Sequence, residues 1–427
     1  MYGKYLDNPE LLFSQDDPSQ TGRNVKEGFI YKGYGPFTAN TLSKRLKPVI
    51  IYPDIWDYEV KEFQSYFRGE KGHFRGFKNT FKTRYKNFEH SIIECDSDIK
   101  KEDYESHIQT KVIPNSEKYN IAFVIIPRTP ESIVKSPYYR SKALLTINNV
   151  PCQMITRELI NDENNFKWSI FNICLAAYAK IGGIPWVLNK ELGSDLILGI
   201  GMTRVHPRYR SDVDERGVKD RIGFATVFSR RGKFVFNSSE TFEKDEDYSK
   251  KFKKIIVDVL ERYCEIEKEP QLITFHTYKK MNKNEIKLME NISKEFGCEC
   301  NIINLSKNNK IRLFDDSRDS GIAKAGSLIR KNEKEDLLLT AGPEKKDSGV
   351  PQPFNLNYQK IISDRSELAK EIYDLCYLNW AGLNATSSPV THIYPTKIAR
   401  IVEKMYASEE LENFATNKVI NQKPWFL

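Results

Sequence analysis

The sequence predicts an α/β protein made of two consecutive units, a small one followed by a larger one. Three observations carry this. Between residues 121 and 188, apolar β-branched runs alternate with helical patterns in the order strand, helix, strand, helix. That order suits a small sheet with its ligand at the carboxyl ends of the strands. From Asp195 the pattern changes to three strands in succession, then alternating helices and strands. The chain has 427 residues, 40% hydrophobic and 29% charged, enough for two or three domains with full cores in a soluble globular protein.

Residues 1–47 are rich in Gly, Pro, Asn and Lys and predict an irregular stub that packs on the body. The first unit is read as 48–188 and the second as 189–427. Residues 48–52 (PVIIY) form a strand and residues 55–67 a helix. A basic-aromatic stretch follows to Phe88. Its rings Phe74, Phe77, Phe81, Tyr85 and Phe88 fall three or four apart, which is helical core spacing. The cations between them, from Arg68 to Lys86, are either solvated or placed to follow a phosphate backbone. Residues 94–118 are a polar connector with one short helix. Residues 119–127 (YNIAFVIIP) are a buried strand stopped by proline, and Ser136-Pro137 starts a helix as N-cap and first residue. Strand CQMIT and helix 166–180 complete the first unit.

In the second unit, residues 196–202 form a buried strand. Residues 224–228 and 234–236 form two more, with Arg231-Gly232 at their turn. Helix 246–264, strand 272–277, helix 284–296 and strand 300–305 alternate after them. Helix 364–378 and a last helix from about Pro395 to Tyr406 close the set. The loops at 206–221 and 316–326 are charged.

Lys and Arg number 66 against 58 acidic residues, a formal charge of +8, which is compatible with a polyanion partner without requiring one. The seven cysteines are scattered, with no CxxC or His-rich cluster, so reduced thiols in a cytoplasmic protein are expected. No apolar leader and no run of membrane length is present, so no membrane insertion is expected.

One group of polar residues stands out in this apolar setting. Tyr138 and Lys142, four apart, share a face on the first turns of the helix begun by Ser136-Pro137. Gln153 lies on the next strand, and Lys180 ends a helix before Gly182-Gly183. On spacing alone Tyr138 and Lys142 are an ordinary surface pair. Brought together with Gln153 and Lys180 at a helix N-terminus, they would hold a terminal phosphate.

Tyr138, Lys142, Gln153 and Lys180 match in type, order and approximate spacing the tyrosine–lysine–glutamine–lysine set of the Argonaute MID domain. The segment YYRSK…NNVPCQ…KIGGIPWVLN resembles the archaeal two-domain Argonautes, which have MID and PIWI but no PAZ. The resemblance runs from about residue 120 to the terminal Pro424-Trp425-Phe426-Leu427. It implies a Rossmann-like MID domain followed by an RNase H-like PIWI domain. It also implies that the four residues bind the 5′-phosphate of a short DNA or RNA guide, which then pairs with a complementary target strand. In such proteins the terminal carboxylate enters the cleft beside that phosphate. Leu427 is therefore expected as a ligand of a bridging Mg²⁺, with carboxylate, phosphate and water oxygens around the ion.

RNase H-type nucleases place converging carboxylates on two metal ions. Where PIWI domains read Gly-Ile-Asp, this chain reads Gly199-Ile200-Gly201. The strand ending at His276 continues Thr277-Tyr278-Lys279, with no carboxylate. Thr396 stands at the last ligand position, with His392 offset from it, and Asp195 lies at the strand entry. The expectation is a protein with no catalytic residues that binds without cutting, and hence not an enzyme. The resemblance further implies host defence with a separately encoded N-lobe or effector. The alternatives are an active guide-directed endonuclease using Asp212, Asp214 or Glu215 from the charged loop, and a protein-interaction scaffold without nucleic acid. The sequence leaves homodimerisation open.

Overall fold

The structure, a computed structural model, describes residues 2–39, 45–95, 99–129, 136–204, 221–242, 248–341, 349–402 and 417–427. A sheet of four parallel strands comes first in the chain. Its order is Glu89–Ile93, Pro48–Pro53, Ile121–Ile126, Cys152–Thr156. The two central strands are buried along their whole length, which is why they read as continuous apolar runs and not as alternation. Ile50, Tyr52, Phe123 and Ile125 face one side, against Val60, Phe63 and Phe67 of helix Asp57–Arg68 and Ile170 and Cys174 of helix Glu163–Lys180. Val49, Ile51, Ala122 and Val124 face the other, against Tyr104, Ile108, Leu144 and Leu145. The edge strand Glu89–Ile93 escaped the sequence reading because only Ile93 is buried.

The rings of the basic-aromatic stretch are core, but they do not lie on one helix. Gly69, Gly72 and Gly76 take positive φ, and helix Phe77–Phe81 ends where Lys82 adopts φ 50°. Tyr85 and Phe88 follow outside the helix and still reach the same cluster. Phe67 stacks on Phe77 at 4.8 Å and meets Phe88 and Phe123 edge-on. Several of the cations serve the fold: Arg68 pairs with Glu70, Lys71 with Glu62, and Arg75 donates to the Ile30 carbonyl. The connector at 94–118 holds more helix than expected, since Lys101–His107 runs on through two tighter and wider turns to Lys118.

The second sheet has nine strands in the order Tyr2–Tyr5, Ser327–Arg330, Glu335–Leu338, Phe354–Lys360, Glu299–Ser306, Leu272–Thr277, Leu196–Arg204, Arg221–Ser229, Phe234–Phe242. Strand Leu272–Thr277 is parallel to both neighbours, and the remaining pairs are antiparallel. Leu196, Leu198 and Ile200 face helices Tyr248–Ile266 and Lys283–Glu295. Ile197, Phe224 and Phe228 face helix Val390–Val402 and share the apolar cluster that continues into the first unit. The N-terminal residues contribute the edge strand Tyr2–Tyr5, and Leu11–Leu12 pairs with Val187–Leu188.

The helix predicted from Pro395 starts at Val390, five residues earlier, and Pro395 lies inside it; a short helix Lys418–Asn421 follows near the chain end. Proline has no N–H for the carbonyl of Thr391, four residues earlier. That carbonyl lies against Gly199 on the central sheet, where a side chain would bring its Cβ within 2.1 Å of the Thr391 oxygen. The predicted end at Tyr406 and the charged loop with Asp212, Asp214 and Glu215 fall outside the described residues. All seven cysteines are free thiols. No helix among the described residues is long and apolar enough to cross a membrane.

Candidate functional site

The helix Pro137–Ile147 opens as its sequence requires: the Ser136 hydroxyl accepts from the Tyr138 amide at 3.3 Å, and Pro137 takes the first position. One turn on, Lys142 is only 1% exposed. Its Nζ lies 3.5 Å from the Tyr138 hydroxyl and 5.5 Å from the centre of that ring. Tyr138 is braced edge-on by Tyr139 at 4.9 Å. The helix Glu163–Lys180 ends in a buried ammonium, and Gly182 turns the chain away at φ 97°. Lys180 Nζ donates to Gln153 Oε1 at 2.6 Å and to the Cys152 carbonyl at 2.9 Å. The structure thus pairs Tyr138 with Lys142 and Gln153 with Lys180, and places Lys142 close enough to lower the Lys180 ammonium.

A third lysine joins them from the far end of the chain. Lys397, on helix Val390–Val402, was missed by sequence reasoning, because nothing in its local spacing marks it. Burial pushes its ammonium down to about 8, and the Lys142 charge adds to that. Lys180 is driven well below the ordinary lysine range, first by burial, then by Lys142, with a smaller push from Lys397. Among the described residues none of the three makes an ion pair. Three cations gathered out of water without a counter-charge form an unfavourable arrangement that a bound anion would relieve.

The terminal segment docks beside this cluster. Trp425 and Phe426 are buried, and Phe426 meets Tyr394 at 4.9 Å and Phe234 at 5.7 Å. Gln422 and Pro424 share with Gly182, Gly183 and Trp380 a cavity of about 280 Å³, just past Lys180. Leu427 is half-buried on the core. Among the described residues no group of three or more His, Cys, Asp or Glu could hold a metal ion. One terminal carboxylate is a poor magnesium site by itself, so Mg²⁺ fits here only with phosphate oxygens completing the shell.

The expected carboxylate positions are filled by packing. A side chain at Gly201 would place its Cβ 2.6 Å from Pro395 Cβ, and one at Gly199 would meet the Thr391 carbonyl and Thr226 Oγ1. Thr277 bonds to the Lys279 carbonyl, while Lys279 pairs with Glu285. Thr396 donates back to the His392 carbonyl at 2.8 Å. His276 Nδ1 lies 2.8 Å from Thr391 Oγ1, and burial pushes its ring down to about 3. Asp195 brackets the strand entry: it accepts from the amides of Gln271 and Leu272 and pairs with Arg230 at 3.1 Å.

Comparison with known proteins places this geometry. The Piwi domain family matches residues 121–407. The protein argonaute of Cereibacter sphaeroides is 22% identical over 96% of this chain and 57% of its own length. The Piwi protein of Archaeoglobus fulgidus is 25% identical over 68% of this chain and 71% of its own. Among solved structures, Clostridium butyricum Argonaute bound to a guide DNA and a 19-mer target DNA superposes with TM-score 0.77 at 20% identity, covering 95% of this chain and 53% of that one. Drosophila Piwi superposes with TM-score 0.74 at 13% identity, covering 100% of this chain and 56% of that one. The chain therefore spans little more than half the length of several proteins it matches.

Proposed function

The chain belongs to the Argonaute/Piwi family, and from that premise we propose that it holds a short 5′-phosphorylated guide and uses it to bind complementary targets without cutting them. The observation that carries the proposal is the cluster of buried Lys142 and Lys180 with half-buried Lys397, which lacks a carboxylate among the described residues. A terminal phosphate brings two negative charges to that point and accepts from all three ammoniums. Tyr138, at the mouth, offers a ring to the first base and a hydroxyl to the phosphate. Gln153 orients Lys180 through the 2.6 Å hydrogen bond.

Magnesium, where bound, supplies charge neutralisation between the phosphate and the Leu427 carboxylate. This chain's contribution is to anchor the terminal segment on the core through buried Trp425 and Phe426, with Gln422 and Pro424 lining the cavity next to Gly182 and Gly183. The absence of cleavage is supported by Gly201, which offers no ligand atom where a carboxylate would be needed and where an added Cβ would lie 2.6 Å from Pro395. A cytoplasmic role in defence, with a separately encoded N-lobe or effector, rests on the family resemblance alone.

Competition binding tests the reading. Short strands with a 5′-phosphate should bind more tightly than the same strands with a 5′-hydroxyl. Equal affinity for the two would sink it. A matched target added to the loaded protein should be retained intact in Mg²⁺ and in Mn²⁺, and its scission would overturn the silent assignment.

A further inference from the structure

The carboxyl ends of the central parallel strands carry a second set of cationic and donor groups. In register, Ile200 pairs with Thr277, and Thr277 with Asn304. The vacant position Gly201 is one residue beyond Ile200, and Lys307 is three beyond Asn304. Both therefore open at the same end of the sheet. Lys307 is half-buried and makes no ion pair among the described residues. Its Nζ donates to Ser387 Oγ at 3.1 Å and lies 4.8 Å over the Phe354 ring. Ser387 stands three residues before the N-terminus of helix Val390–Val402, so the ammonium and the positive end of that helix converge. His392, in the first helical turn, packs edge-on against Phe354 at 5.7 Å. Burial and the nearby Lys307 hold its ring below the usual histidine range, so it is a neutral N–H donor at pH 7. Behind it, His276 is buried and its Nε2 has no partner.

A two-metal nuclease needs negative charge here to collect its ions. This chain has the opposite sign: one ammonium and a helix N-terminus, with the neutral imidazole of His392 as a further donor. We propose that this mouth binds a backbone phosphodiester of the target strand directly, with Lys307 as the principal contact and His392 and the first turn of helix Val390–Val402 as supporting donors. Lys307 and the helix N-terminus stand in for metal ions as the partner of the target phosphate, so target retention here needs no divalent ion. No bond forms or breaks. The proposal rests on the guide-binding reading above and extends it to the opposite strand.

The test uses the full chain loaded with a 5′-phosphorylated guide and a labelled matched target. Lys307→Met keeps the apolar stem over Phe354 and removes the charge. It should leave guide binding unchanged and weaken target binding about tenfold, a charge-assisted contact's worth. It should also lower the salt slope of target binding by about one counterion. Lys307→Arg should restore both. A neutral methylphosphonate linkage walked along the target should reproduce the loss at one position in the wild type and add nothing further in Lys307→Met. Target affinity and salt slope equal to wild type in Lys307→Met would overturn the proposal. So would an equal loss of guide and target binding, which places the contact elsewhere. If the wild type shows no preference for a 5′-phosphate, the guide-binding reading fails and takes this one with it.

Discussion

Lys142, on the first turns of its helix, lowers the ammoniums of both Lys180, which closes a helix of the first sheet unit, and Lys397, on helix Val390–Val402, with no carboxylate pairing any of the three among the described residues. A charge arrangement of this kind is costly in the free protein and useful only when an anion arrives. That contrast separates stability from binding and makes both measurable.

Removing the cations should therefore act in opposite directions. Lys142→Ala with Lys180→Ala deletes two charge-assisted contacts, each worth roughly 1.5–3 kcal/mol, and should bring 5′-phosphorylated strands down to the affinity of 5′-hydroxyl ones. Lys397→Met should weaken phosphate binding in the same assay while raising the melting temperature of the strand-free protein. A Lys397→Met protein that binds phosphate as well as wild type would exclude Lys397 from the site.

The pH dependence follows from the same depressed ammonium. Lys397 titrates near 8 in the folded chain against a reference of 10.5. Between those values the unfolded chain binds the extra proton, so stability should rise with pH across that window and be flat below it. The difference between wild type and Lys397→Met in urea melts isolates this term. Phosphate preference should run the other way and fall as pH passes 8. A preference that holds constant to pH 10 would contradict the role given to these ammoniums.

At the vacant centre, restoring a carboxylate should not restore cleavage. Gly201→Asp forces a side chain into Pro395 and should cost about 1–3 kcal/mol of stability, as overpacking does. Gly199→Ala should cost more, because the obstacle 2.1 Å away is the Thr391 backbone carbonyl and cannot rotate aside. Denaturation midpoints rank the two. If Gly199→Ala is the milder change, the close approach described here is wrong.

For the chain end, a C-terminal extension moves the carboxylate off Leu427 while leaving Trp425 and Phe426 in place. Such a protein should bind 5′-phosphorylated strands less tightly, and EDTA should add little further loss. EDTA should weaken the untagged protein and leave 5′-hydroxyl strands unaffected. Identical affinities in all four conditions would remove magnesium from the account.

Much of this molecule is written locally. The central strands Pro48–Pro53 and Ile121–Ile126 announce themselves as apolar runs because both faces are covered. Ser136-Pro137 marks its helix because capping is a property of neighbouring residues. Tyr138, Lys142, Gln153 and Lys180 were legible only through the family resemblance, because spacing alone makes Tyr138 and Lys142 a surface pair, whereas in the fold Lys142 is buried. Lys397 was not legible, since its meaning arises only when a distant helix folds back over the first unit. Strand Glu89–Ile93 was lost because an exposed edge lacks the burial that imposes a pattern. The start of helix Val390–Val402 was misplaced because Pro395, normally a first-turn residue, is tolerated inside it where the freed Thr391 carbonyl meets a glycine.

The glycine pair and the proline opposite it bear on history as well as on packing. In this structure the sheet has taken the helix into the room where a metal ligand would stand, and that same helix carries Lys397 to the lysine cluster. A single reversion to a carboxylate would press on Pro395 and shift Lys397 with it. Placing a carboxylate ligand here would require the strand and the helix to change together, with Lys397 displaced in the process. On the proposed silent reading these close contacts act as a steric ratchet: a carboxylate at this strand could be accommodated only if the helix moved as well.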